Sequence, residues 1–205
     1  MDATGQYALA YALTTTAGLR GFLTLFAASV AAHYHWIHPT GAFSWLASDT
    51  ATVVLGVFAL IELIADKVPV VDHAAHAISF AARPLAGAIL VGGTIHTDNL
   101  ATLYSLMALG AVNSLIVHSS SAAARAASTL STLGTANTSI SAGEDATAIV
   151  GIIVAFLHPY IAAILAVLFV LTLIVIAVVI AAVRSGARRR PMPAPKPPTG
   201  SNIGL

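Results

Sequence analysis

Nine charged residues sit in or beside the apolar runs of this chain: Arg20, Glu62, Asp66, Lys67, Asp72, Arg83, Arg125, Glu144 and Asp145. A charge at the centre of a bilayer costs at least ~2.5 kcal/mol on insertion scales, so ionisable groups there are candidates for a solute or proton path. Glu62 and Asp66 are four residues apart, and on a helix both carboxylates project from one face, where they can bind a cation or share a proton. Lys67 lies about 100° round the helix from Asp66 and is placed to pair with Asp72 across the Pro69 turn. The competing assignment for Glu62 and Asp66 is an ion pair with Arg20, Arg83 or Arg125 that neutralises charge between helices. For Glu144 and Asp145 it is the start of a helix, where acidic residues cap the first turn and oppose the macrodipole.

Histidine supplies a second set of candidates. His73 and His76 neighbour Asp72, and imidazole with carboxylate suits a first-row divalent ion, so this trio is the candidate metal site. His33, His35 and His38 are interleaved with Tyr34 and Trp36 and followed by Pro39, a composition expected at headgroup depth rather than round a metal. His118 and His158 fall inside apolar runs, where hydrogen bonding to a neighbouring helix competes with proton relay. Enzyme signatures are absent: there is no Gly-rich phosphate loop with Lys, no Gly-x-Ser-x-Gly elbow and no His-Glu-x-x-His pair. An intramembrane hydrolase built from Glu62, Asp66 and a histidine is the remaining catalytic alternative.

Apolar elements must position these groups. Hydrophobic residues make up 58% of the 205 and charged ones 8%, against roughly a quarter charged in a soluble domain. With a mean hydropathy of +0.88, the composition excludes a soluble enzyme and points to a polytopic integral membrane protein. The absence of cysteine removes disulfides, thiol chemistry and Cys-based metal sites. Five of the nine basic residues fall in the last 22 positions, and nothing favours nucleic acid as a partner. Residues 1–6 carry Asp2 and no Lys or Arg, so no signal-peptide n-region is expected and the first segment is read as mature.

From Tyr7 to Trp36 the residues are apolar or small except Arg20, flanked by Gly18 and Gly21, which predicts a broken helix at the charge. The run Thr50–Ile64 ends at Pro69. Asp72 is an expected N-cap for a short amphipathic segment leading to Arg83-Pro84, and the 12 residues Leu85–His96 are too few to span unless joined to it. Asn99–Ala124 reads as one helix, whereas residues 126–143, rich in Ser, Thr, Gly and Asn, read as irregular backbone. Between Asp145 and Arg184 lie 38 uncharged residues, about 57 Å as one helix, so a break is expected at His158-Pro159. Arg184, Arg188, Arg189 and Arg190 then set the end of the last span in the cytoplasm, followed by a disordered Pro-rich tail over 191–205.

The order Arg then acidic pair occurs twice, as Arg20 with Glu62 and Asp66 and as Arg125 with Glu144 and Asp145, a pattern that transporters built from two inverted halves produce. The segments Gly18-Leu19-Arg20-Gly21-Phe22-Leu23, Glu62 through His73, Arg83-Pro84-Leu85-Ala86-Gly87 and Glu144-Asp145 together resemble a family of small bacterial membrane proteins of unknown function, over most of the chain up to the last helix. That resemblance implies no activity. Glu62–Pro69 is also similar to the Glu-x-Gly-Asp-Lys-Thr signature of divalent-cation/proton exchangers, departing from it at Ala65 and Val68.

The expectation is an all-α polytopic transmembrane helical bundle with broken or re-entrant helices. Residues 1–190 form one transmembrane domain with room for pseudosymmetric halves at 1–82 and 83–190. The expected function is a small proton-coupled secondary transporter for a cation, a divalent metal included, in the bacterial cytoplasmic membrane. It works as a homo-oligomer in the lipid bilayer and needs no cofactor beyond a bound divalent cation. Glu62, Asp66, Asp72, Glu144 and Asp145 would line its path, with Arg20, Lys67, Arg83 and Arg125 as charge partners. Two other classes stay open: an anion or lipid-headgroup transporter using the arginines, and a non-transporting assembly or lipid-interacting protein whose ion pairs fix helix register.

Overall fold

A computed structural model describes residues 1–65, 72–132 and 135–188, with side chains over those ranges except 72–78, 130–132, 180–181 and 183–188. Its elements are α1 (Ala3–Leu19), α2 (Gly21–His33), a 3-10 helix (Gly41–Ala47), α3 (Asp49–Ala65), α4 (Asp72–Thr94), α5 (Leu100–Thr132), α6 (Asn137–Leu157) and α7 (Pro159–Arg188). Among the described residues there is no strand. Three helices are long and apolar enough to cross a membrane on their own, Leu100–Thr129, Asn137–Leu157 and Pro159–Val179, and the 3-10 helix meets α3 at a bend of 71°. The chain is a helical membrane bundle.

The break at Arg20 is a single residue. With φ −141° and ψ 91° it stands extended between two helices, its N–H still donating to Thr16 O (2.8 Å) and its carbonyl already accepting from Thr24 N (3.1 Å). The chain then turns back on itself. Tyr160 Oη donates to Asp2, His96 N–H donates to Gln6 Oε1, the His96 ring reaches His38 O, and Trp36 stacks edge-on against Phe156. The start of α1 and the segment after α2 therefore share one end of the bundle, together with the close of α4 and the α6–α7 joint. The α1–α2 pair is a hairpin rather than one crossing, and its tip is Arg20.

The tip lies deep. Leu19 packs with Val117, Ala148 and Val170, and Val170 is eleven residues beyond Pro159, about 16 Å along the helix at 1.5 Å per residue. Small residues let the helices close round the tip. A Cβ at Gly18 would stand 2.5 Å from Val117 Cβ, and one at Gly87 would stand 2.5 Å from Gly110 O, so α5 meets α1 and α4 backbone to side chain and backbone to backbone, as packing within lipid favours. The large exposed side chains of α7, Ile161, Ile164, Leu168 and Leu171 among them, face outward to lipid.

Several expectations from the sequence change. The described residues of 126–143 are helical except for a turn at 135–136: α5 continues to Thr132 and α6 begins at Asn137, with 133–134 outside the described residues. Frequent Ala, with Ser and Thr bonded to carbonyls a turn back, as Thr129 Oγ1 is to Arg125 O, lets a polar composition remain helical. Glu144 and Asp145 consequently lie two turns inside α6 and cap nothing. Leu85–His96 joins the segment before it, because α4 runs through Pro84 without a break. The expected breaks at Arg20 and at His158-Pro159 are present. Asp66, Lys67, the Pro69 turn, Arg189, Arg190 and the tail over 191–205 lie outside the described residues.

Candidate functional site

Six of the charged candidates gather at the hairpin tip. Arg20 is completely buried (0% exposed) and its Nε donates to Asp145 Oδ1 at 2.5 Å. Its Nη2 donates to Ser141 Oγ (3.0 Å) and Ser141 O (3.3 Å) and stands 3.8 Å from Glu144 Oε2. Glu144 in turn accepts from the Arg125 guanidinium, at 3.4 Å from Nε and more closely from Nη2, and from the Ser121 hydroxyl. Two arginines and two carboxylates thus share one site between α1, α5 and α6. In a medium without water such groups persist only when paired.

The other side of the tip is organised by Glu62. One carboxylate oxygen accepts from Gly21 N–H (2.9 Å) and the other from Phe22 N–H and Leu23 N–H (both 3.1 Å). These are first-turn donors of α2, which have no partner within the helix, and a negative charge there also meets the positive end of the helix dipole. A glutamate forty residues away in sequence does the work of a local N-cap. Arg83 Nε stands 3.9 Å from Glu62 Oε1. Its Nη1 donates to Gly18 O (3.0 Å) at the C-terminal end of α1 and lies 2.6 Å from His118 Nδ1. Because guanidinium only donates, that nitrogen of His118 is the acceptor. One acid and one base therefore satisfy the two helix ends that the break creates.

The accessible part of the site is on α5 and α6. Arg125 and Asp145 keep 15% and 14% of their side-chain surface, against none for Arg20. Beyond them, away from the shared end, α5 and α6 carry Ser128, Thr129, Thr138 and Ser139, which makes this the polar half of the α5–α6 pair.

Of the residues picked out from sequence, Arg20, Glu62, Arg83, Arg125, Glu144 and Asp145 come together. Asp66 and Lys67 are outside the described residues, as are the side chains of Asp72, His73 and His76. Among the described residues no group of three or more His, Asp or Glu is arranged to hold a metal ion. His33 and Asp49 form an exposed pair at 3.2 Å, at the shared end and far from the tip. Sequence reasoning missed Ser121 and Ser141 and did not assign His118 to an arginine. A signal existed: His118, Ser121, Arg125 and Ser128 recur every three or four residues, and in α5 they form one stripe facing the bundle.

The family described as Domain of unknown function (DUF4126) matches residues 7–179, which include every member of the cluster. The chain belongs to that family. No curated protein and no solved structure matches it. Membership agrees with the resemblance carried by the Arg20, Glu62, Arg83 and Glu144 segments and brings no activity with it, and no cation exchanger stands among the matches.

Proposed function

We propose that the chain is a small proton-coupled secondary transporter whose path passes the Arg20–Asp145–Glu144–Arg125 group. The carrying observation is Arg20 itself: a fully buried arginine inside the bundle, forming the hinge of a re-entrant hairpin and held by carboxylates of another helix. A structural protein could close that gap with apolar residues at lower desolvation cost, so intramembrane charges of this kind mark a path.

The residues suggest a sequence of events. A proton or small cation, a divalent metal included, reaches Asp145 and Glu144 from the polar half and competes with Arg20 for them. Once its partners are taken, Arg20 withdraws, and the hairpin, still held at its tip by Glu62 and Arg83, separates from α6. On this reading the two Arg-then-acid runs are two halves moving about the tip. By the positive-inside rule the polar half faces the cytoplasm of a bacterial inner membrane, since Arg184 and Arg188 end α7 on that side.

The test is flux through the purified full chain in liposomes under an imposed pH gradient, against a panel of cations and anions. Cation flux coupled to protons, abolished by Asp145→Asn, supports the proposal. A folded protein that moves no solute overturns it. Anion flux lost in Arg20→Gln but kept in Asp145→Asn transfers the role to the arginines. A non-transporting reading draws on one specific observation, the backbone cap made by Glu62, which is structural in form; it predicts normal cellular function when Glu144 and Arg125 are neutralised together.

A further inference from the structure

A cleft of about 420 Å³ opens between α1, α6 and α7. Its hollow lies among the small side chains of Ala12, Ala162 and Ala166, and it is closed on one side at Gly151, where α6 comes so near α1 that a Cβ would stand 2.7 Å from the Thr16 methyl. The three threonines in its wall contribute no unmet polar group. Thr15 and Thr16 donate to the carbonyls of Tyr11 and Leu13, and Thr147 donates to that of Gly143. A cavity so lined gives water no partners and stays dry. Its lips, Val150 and Leu165, are 58% and 53% exposed on helices apolar enough to cross a membrane, so the medium at its mouth is hydrocarbon. Left empty, its walls forfeit the contacts of close packing.

We propose that this cleft seats one acyl chain of a bilayer phospholipid as a fixed part of the folded protein. The flexible, apolar chain is the component of the surrounding medium that fits a dry intramembrane hollow of this size. The inner end of the cleft is built by Leu19 and Ala146, the residues next to Arg20 and Asp145, so the chain buttresses the α1 limb beside the buried ion pair. This inference does not rest on the transport reading.

The experiment reconstitutes the full chain in vesicles of phosphatidylethanolamine and phosphatidylglycerol, extracts it in mild detergent, strips loose lipid and counts retained phospholipid by native mass spectrometry. The wild type should keep one phospholipid per chain. Ala166→Trp fills the hollow and should lose it. Val150→Trp covers the mouth from an exposed position that places no demand on the core, and should lose it too. Leu171→Trp, exposed elsewhere on α7, should keep it. A wild type that retains no phospholipid, or one that retains a different amphiphile in its place, overturns the proposal. So does retention by Val150→Trp equal to that of the wild type.

Discussion

Glu62 and Glu144 are both buried glutamates on helices packed round the hairpin, and they are held by opposite kinds of partner. Glu62 is gripped by three backbone N–H groups of α2, which cannot turn away without unwinding the helix. Glu144 is held by Ser121, Arg125 and Arg20, whose side chains can each rotate to another acceptor. The first arrangement ties a helix end to α3 and fixes the shape of the tip. The second is an exchangeable set of charges next to the one part of the cluster that keeps exposed surface. The contrast separates the group that builds the site from the groups that can work in it.

Removing the shared arginine tests both sides at once. Arg20→Gln leaves Asp145 and Glu144 with less compensation in a medium that does not solvate them, and should cost about 3–5 kcal/mol, read as a large fall in denaturation midpoint in micelles. Glu62→Gln keeps one acceptor oxygen and loses the charge; the expected loss is about 1.5–3 kcal/mol, again in the unfolding midpoint, with little change in flux per folded molecule. Glu144→Gln should reverse that balance: about 1 kcal/mol of stability, because Arg125 can turn toward the polar half, and most of the proton-coupled flux in liposomes. Equal stability losses for the two glutamate variants would break the distinction between backbone-held and side-chain-held carboxylates. Ser121→Ala is the finest probe, expected to cost about 0.5–1 kcal/mol and to shift the pH dependence of flux while leaving Glu62-dependent stability unchanged.

Much of the frame was legible from residues. Gly18 and Gly21 round Arg20, and Pro159 after His158, announce the two breaks, because Gly and Pro act on the backbone locally. The angle at each break was not legible: one extended residue turns α2 back along α1, and that direction is set by Glu62 on α3, far away in sequence. The run 126–143 misled because Ser and Thr mark loops in water, whereas in this bundle the Thr129 hydroxyl bonds to its own helix and that of Ser141 accepts from Arg20. Arg20, Arg83 and Arg125 were visible as charges in apolar sequence, but which acid each takes depends on helix rotation: Arg20 reaches Asp145 of the other Arg-then-acid run, Glu62 takes Arg83, which belongs to neither run, and Arg125 takes Glu144 of its own.

The hairpin has a consequence for how the chain is threaded during synthesis. Because α1 and α2 begin and end on one side, this segment enters and leaves the bilayer at one face, as a folded-back loop with its arginine leading. Single cysteines placed by Asp2→Cys and Pro39→Cys in this cysteine-free chain should then be reachable by an impermeant thiol reagent from one face of a sealed vesicle, and one placed by Arg188→Cys at the end of α7 from the other.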